Sequence, residues 1–142
     1  MIGTQRVDYR NLEGLRLTKR DNKKETTVVK VGNVYIGGAN LTIIAGPCAV
    51  ENEEQLIATA FSVKEGGADI LRGGAFKPRT SPYSFQGLKI QGLKILAKAR
   101  EFTGLPIVTE VISPGDVEIV SEYVDILQVG SRNMQNFTLL QE

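Results

Sequence analysis

From residue 41 onward, short apolar runs alternate with segments of helical periodicity, and this alternation limits the chain to few folds. The four strand-like runs cover residues 41–45, 68–71, 105–110 and 124–129. Repeated strand–helix units predict a parallel sheet with right-handed crossovers. The strand starts are about 27 residues apart, so eight units would need about 220 residues, close to the length of a (β/α)8 barrel. We therefore predict an α/β fold that comprises the first four units of a TIM barrel.

An open, doubly wound sheet is the structural alternative, because it is also built from strand–helix units. Its dinucleotide-binding members carry a glycine fingerprint directly after the first strand. This chain has Gly46-Pro47-Cys48 at that place instead, which favours the barrel.

Two shorter regions precede the barrel segment, which we assign to residues 41–142. Residues 1–26 are polar and of mixed charge, as is typical of a solvated terminal segment. Residues 27–40 contain two β-branched or aromatic runs separated by Gly32-Asn33, a two-residue turn that predicts a β-hairpin.

Capping residues and apolar periodicity set the expected helices. Asn52, with Gln55 three residues later, predicts the start of the first helix, and Gly66-Gly67 predicts its end. Apolar residues near a 3.6 period predict the second helix over roughly residues 86–101.

Composition excludes several functional classes. The formal net charge of +1 gives no reason to expect nucleic acid or an anionic membrane as a partner. No apolar run approaches the roughly 20 residues that span a bilayer, and the N-terminus has no apolar signal-peptide region. Cys48 is the single cysteine and cannot form an internal disulfide, in keeping with a reducing cytoplasm. We expect a cytoplasmic protein.

Charged residues follow the predicted strands at the edge where a barrel carries its active site. Cys48 follows the first strand, Glu110 ends the third, and four cations stand after the second and fourth, namely Arg72, Lys77, Arg79 and Arg132. Because arginine forks match phosphate and carboxylate geometry, such a cluster predicts an anionic, multiply phosphorylated ligand.

Simpler interpretations of the same residues remain open. A loop arginine or lysine is commonly a solvated surface residue. Glu110 could serve only as a salt-bridge partner of the arginines. A lone cysteine such as Cys48 is commonly a small buried hydrophobe rather than a ligand or nucleophile. Arg72 and Arg132 favour a function more strongly, since each stands beside the end of a strand expected to be buried.

Three stretches resemble the 3-deoxy-D-arabino-heptulosonate 7-phosphate (DAHP) synthase family, in the branch related to 3-deoxy-D-manno-octulosonate 8-phosphate synthase. They are IIAGPC at residues 43–48, LRGGAFKPRTS at 71–81 and QVGSRNMQN at 128–136. The resemblance is contiguous from about Thr27 to the last residue. Lys-Pro-Arg-Thr at residues 77–80 favours the heptulosonate enzymes, since the octulosonate enzymes carry a different, Asn-containing loop there.

The resemblance implies roles at the matching positions. Cys48 would be a ligand of a divalent metal such as Mn, Fe, Zn or Co. Lys77 and Glu110 would act in catalysis, Glu110 by positioning a water near the reacting carbons. Phosphoenolpyruvate would be held by Arg72, Lys77 and Arg132 with main-chain groups of Gly130 and Ser131, and erythrose 4-phosphate by Pro78, Arg79 and Thr80.

The implied reaction joins phosphoenolpyruvate to erythrose 4-phosphate, with uptake of water and release of phosphate, as the first step of the shikimate pathway to aromatic amino acids. The family also requires a His, a Glu and an Asp from later strands as metal ligands. This chain has no histidine and stops inside a predicted helix. We therefore expect the chain to be incomplete and inactive alone, and to form a homo-oligomer or belong to a longer polypeptide, because open sheet edges invite pairing.

Two other functions remain open. The first is 3-deoxy-8-phosphooctulonate synthase, which would use arabinose 5-phosphate. The second is a non-catalytic half-barrel that only binds anions or a partner subunit.

Overall fold

The computed structural model describes residues 25–142, so most of the polar segment predicted at residues 1–26 lies outside the described part of the chain. The first elements are two short strands, β1 (Val29–Val31) and β2 (Val34–Ile36). They pair antiparallel around Gly32-Asn33, with Val31 opposite Val34. This is the arrangement that a two-residue glycine-containing turn favours.

A four-stranded parallel sheet follows. Its strands are β3 (Ile44–Ala45), β4 (Ile70–Arg72), β5 (Ile107–Glu110) and β6 (Ile126–Gln128). They lie side by side in chain order. Because the order of a doubly wound sheet reverses at a switch point, this sequential order argues against that alternative. The chain is thus an α/β protein with a parallel sheet, as predicted.

An α-helix follows each strand of this sheet, and each helix between two strands packs against the strand that comes after it. The helices are α1 (Glu53–Glu65), α2 (Ile90–Thr103), α3 (Val117–Ser121) and α4 (Phe137–Gln141), with 3-10 turns at Pro114–Asp116 and Ser131–Asn133. The side chain of Asn52 accepts a hydrogen bond from the Gln55 amide, so the predicted N-cap of α1 is confirmed. None of the helices in residues 25–142 is both long and apolar enough to cross a bilayer.

The core lies between the helices and the sheet. Leu71 and Ile107 are Cα partners on β4 and β5, and both are fully buried in this core. The other fully buried large side chains of the cluster are Val50, Leu56, Leu93, Leu96, Val111 and Val120. Burial of this apolar area is the main force that holds the helices against the sheet.

The prediction that the first strand is buried on both faces is wrong. Ile44 is 48% exposed, because β3 is an edge strand with a neighbour on only one side. Leu41, which was predicted to begin this strand, lies outside it and is 87% exposed. The fourth strand differs in the same way: Leu127 is exposed, because β6 forms the opposite edge. Arg132 therefore does not follow a fully buried strand, so its position alone does not indicate a function.

The second helix begins later than predicted. Residues 86–89 form a loop instead, in which Gly87 and Lys89 both have positive φ. The Lys89 amide donates a hydrogen bond of 2.9 Å to the carbonyl oxygen of Ala75. This tertiary contact outweighs the helical periodicity of the local sequence and delays α2 until Ile90.

Candidate functional site

The loops that follow β3, β4, β5 and β6 meet at one edge of the sheet, because all four strands run in the same direction. They enclose an open pocket of about 260 Å³. The pocket is lined by Cys48, Lys77, Pro78, Arg79, Glu110, Gln128, Gly130, Ser131 and Arg132. The parallel topology thus brings together residues that lie far apart in the sequence, up to the 84 positions between Cys48 and Arg132.

Lys77 joins the first and second of these loops. Its Nζ donates hydrogen bonds to the carbonyl oxygen of Cys48 at 2.8 Å and to Cys48 Sγ at 3.3 Å. The lysine is only 7% exposed, whereas Cys48 is exposed. A buried ammonium group with two partners on one residue holds that residue firmly in place.

The electrostatics of the pocket act on the Cys48 thiol. The hydrogen bond from Lys77 and the positive charge of Lys77 lower the pKa of Cys48 below its ordinary value of 9.0. Burial partly opposes this change, and the charges of Arg72 and Arg79 add to it. The thiolate is therefore favoured in a positive environment, which is the form of cysteine that binds metals and electrophiles.

Arg132 joins the second and fourth loops. Its Nη1 donates a hydrogen bond of 2.9 Å to the carbonyl oxygen of Pro78. Arg79 is held within its own loop by a hydrogen bond of 3.1 Å from Nε to the carbonyl oxygen of Phe85. Both guanidinium groups keep other N–H donors, and no carboxylate of the described residues lies within 4.0 Å of either. They can therefore still pair with an anion.

Glu110 ends β5 and lines the pocket beside Gly130. Within residues 25–142 the salt bridges are Lys98–Glu53 and Arg100–Asp125, so Glu110 pairs with no described cation. The interpretation of Glu110 as a simple salt-bridge partner of the arginines is not supported in this part of the chain. A carboxylate without a fixed cation can act on a water or a bound ligand.

A buried threonine of β5 holds the second loop by hydrogen bonds. Thr109 is fully buried, and its hydroxyl donates to the carbonyl oxygen of Gly73 at 2.6 Å. The Thr109 hydroxyl oxygen also accepts a hydrogen bond of 3.3 Å from the amide of Ala75. The loop is thus anchored to β5 directly before Lys77.

Gly46 allows the first loop to approach this anchored segment. Its φ is +148°, and a Cβ atom there would overlap the carbonyl oxygen of Arg72. Glycine is the residue that tolerates both conditions. The path that brings Cys48 to the pocket therefore depends on a missing side chain two residues earlier.

The remaining residues singled out in the sequence lie near the pocket but do not line it. Arg72 donates a hydrogen bond of 3.2 Å to the carbonyl oxygen of Pro47, next to Cys48. Thr80 is exposed on the second loop. Conversely, Gln128 lines the pocket and was missed by sequence reasoning. Its place beside Glu110 follows from the sheet register, in which the two residues are Cα partners.

The described residues do not form a metal site by themselves. A protein metal site normally gathers three or four ligands. Among residues 25–142, no three His, Cys, Asp or Glu side chains lie close enough together to hold an ion. Cys48 contributes a suitable thiol, but Lys77 already donates to its sulfur.

The family model described as "DAHP synthetase I family" matches residues 18–142. Phospho-2-dehydro-3-deoxyheptonate aldolase of Thermotoga maritima is 50% identical over 131 residues, which are 92% of this chain and 39% of that protein. A 2-dehydro-3-deoxyphosphooctonate aldolase of Desulfatibacillum aliphaticivorans is 41% identical over 113 residues, 73% of this chain and 41% of that protein.

The solved structure of the Thermotoga maritima DAHP synthase superposes with a TM-score of 0.80 at 51% identity, over 85% of this chain and 35% of that one. The chain thus spans about two fifths of the length of the curated relatives it matches. The family match covers most of the sequence and includes every residue that lines the pocket. The chain belongs to the DAHP synthetase I family.

Proposed function

We propose that this chain carries the substrate-binding loops of a DAHP synthase, the enzyme that condenses phosphoenolpyruvate with erythrose 4-phosphate and releases phosphate. The observation that supports this most directly is that Lys77, Arg79 and Arg132 line the same pocket. Both substrates are phosphorylated, and phosphoenolpyruvate also carries a carboxylate. Such anions match three clustered cations.

Each cation is assigned to one part of the ligands. Lys77, the most buried cation, would hold the carboxylate of phosphoenolpyruvate, with Arg72 nearby. Arg132 would hold its phosphate with the main-chain groups of Gly130 and Ser131. Pro78, Arg79 and Thr80 would receive erythrose 4-phosphate, with Arg79 at its phosphate. Arg132 already contacts Pro78, so the two substrate positions would be adjacent.

The cations would act by positioning. C3 of phosphoenolpyruvate forms a bond to the aldehyde carbon of erythrose 4-phosphate, water adds at C2, and phosphate leaves. Two polyanions repel each other in water, and fixed positive groups offset that repulsion in the complex. Glu110 would hold the attacking water, because its carboxylate pairs with no described cation and can accept a hydrogen bond.

The family is generally metal-dependent. We assign Cys48 as one ligand of a divalent ion, since its lowered pKa favours the thiolate that metals require. The other ligands would come from residues beyond those described. The metal would polarise the aldehyde, whereas the chain's own residues bind and orient the two anions.

We also propose that the chain forms the first half of a (β/α)8 barrel. The two open edges at β3 and β6 and the sequential strand order are compatible with the first half of a (β/α)8 barrel. In that arrangement residues 27–40 form the hairpin ahead of the barrel and residues 41–142 its first four units. An additional set of strands, from the same or another polypeptide, would cover the exposed edges, and a homo-oligomer is expected.

A neighbouring function is supported by the octulosonate-type relative at 41% identity. The Lys77-Pro78-Arg79-Thr80 loop favours the four-carbon sugar phosphate over arabinose 5-phosphate.

A hybrid enzyme tests both assignments. In it, this chain replaces the matching segment of the Thermotoga maritima relative, which is 50% identical and supplies the remaining residues. We expect phosphate release from phosphoenolpyruvate with erythrose 4-phosphate, and little with arabinose 5-phosphate. The Thermotoga enzyme is the positive control. A hybrid that folds but releases phosphate with neither sugar would contradict the proposed function.

A further inference from the structure

The carboxylate of Glu110 lies directly over Gly130. Glu110 and Gln128 are Cα partners on β5 and β6, so Gly130 stands two residues beyond the partner of Glu110 on the neighbouring strand. Glu110 and Gly130 both line the pocket. The side chain of Glu110 therefore extends along the sheet edge toward the fourth loop.

The backbone does not require glycine at position 130. Its φ of −71° and ψ of 155° are ordinary extended values that any residue adopts. The room available for a side chain does require glycine at this position. A Cβ at Gly130 would overlap Oε1 of Glu110, and it would lie 2.9 Å from Cδ and 3.5 Å from Oε2. The three atoms nearest to such a Cβ all belong to this carboxylate.

We infer that Gly130 is a positioning residue for Glu110: the missing side chain at 130 leaves the place in which the Glu110 carboxylate sits. Any larger residue at 130 displaces that carboxylate from the pocket wall. The catalytic consequence rests on the proposed function, whereas the displacement itself does not. This role differs from the main-chain contact with phosphate that the family resemblance implies for Gly130.

Displacing the Glu110 carboxylate should affect the pocket more than the fold. The colliding atoms are at the flexible end of a side chain, so the carboxylate can swing aside at small cost to the fold. The effect of a methyl group at 130 also depends on the reach of the side chain at 110. Aspartate is one methylene shorter than glutamate and would withdraw its carboxylate from the contact.

The kinetic test compares Gly130→Ala in the hybrid enzyme with the same change combined with Glu110→Asp. We expect Gly130→Ala to lower kcat by about 10- to 100-fold, the range that a displacement of about 1 Å produces, with little change in KM for phosphoenolpyruvate. In the Glu110→Asp background the additional loss is expected to disappear. Gly115→Ala is the matched control, because a Cβ at 115 would meet only Ser113 Oγ, at 3.9 Å.

A second readout does not depend on activity. The ¹³Cδ resonance of Glu110 in the 142-residue chain, identified by its loss in Glu110→Gln, should move in Gly130→Ala and stay in Gly115→Ala. If it moves while the hybrid releases no phosphate, the proposed function fails and the positioning role stands. If Gly130→Ala changes neither the resonance nor kcat, or raises only KM for phosphoenolpyruvate, the inference is overturned.

Discussion

Lys77 Nζ lies 3.3 Å from Cys48 Sγ and 2.8 Å from the carbonyl oxygen of the same residue. This contact helps to hold the first two loops together and lowers the pKa of the thiol. It therefore links the geometry of the pocket to a titration that can be measured.

Replacing Lys77 by methionine should raise the pKa of Cys48 toward 9.0. The change removes both the hydrogen bond to the thiol and the positive charge that lowers this pKa most. The rate of alkylation by iodoacetamide, followed against pH in the presence of a chelator, reports this pKa. Lys94→Met, a change at an exposed lysine of α2, is the control and should leave the profile unchanged. Equal midpoints for the Lys77→Met and unaltered chains would refute the account.

The same pairing should make stability depend on pH. The pKa of Cys48 is lower in the folded chain than its ordinary value of 9.0, so the thiolate stabilises the fold at pH values above 9.0. That contribution is lost as the pH falls through the lowered pKa. Denaturant unfolding at a series of pH values should show this dependence in the unaltered chain and a weaker one in Lys77→Met.

Arg132→Ala should weaken the binding of phosphoenolpyruvate to the hybrid enzyme. A charge-assisted hydrogen bond contributes about 1.5–3 kcal/mol, which corresponds to about a 10- to 100-fold increase in Kd. The protein contact that is lost is a single hydrogen bond to the Pro78 carbonyl, so the fold should change little. Calorimetric titration measures the effect, with Lys64→Ala as a surface-charge control. Unchanged affinity would remove Arg132 from the substrate site.

Thr109→Val should destabilise the chain by about 1–3 kcal/mol, because the buried carbonyl of Gly73 and amide of Ala75 would lose their shared partner. The two side chains are similar in volume, so the loss measures the hydroxyl rather than packing. Thr138→Val, at an exposed position of α4, is the control. Urea unfolding of both variants checks the prediction, and equal stabilities would contradict it.

Lys89→Gly should stabilise the chain, although glycine normally weakens a folded protein. Lys89 has a φ of +52° and a ψ of −128°, a region that costs a non-glycine residue about 1–3 kcal/mol. Glycine relieves that cost but adds about 1 kcal/mol of unfolded-state entropy. The net gain, up to about 2 kcal/mol, should appear in thermal unfolding. A loss of stability would show that the conformation is not strained.

Sequence reasoning located the features that depend on local chemistry. Asn52 caps α1 as predicted, because a capping side chain acts on an amide three residues away. The start of α2 was misplaced, since the positive φ of Lys89 is imposed by Ala75, which is distant in sequence. The exposure of Ile44 was also missed, because an apolar run looks the same in an edge strand and in a central strand.

The pocket could be predicted in outline because parallel strands end at one edge of a sheet. That rule placed Cys48, Lys77 and Arg132 together. It could not predict the contacts between them, which depend on side-chain directions within the loops. Gln128 was missed for a related reason: its role follows from its register with Glu110 on the neighbouring strand, and register is not visible in a single sequence.

The most direct measurement is a titration of the ¹⁵N-labelled 142-residue chain with phosphoenolpyruvate, followed by amide chemical shifts. We predict that the largest changes fall on Lys77, Gly130, Ser131 and Arg132, which line the pocket from the second and fourth loops. Shifts that instead cluster away from this edge of the sheet, or no saturable shift at all, would contradict it.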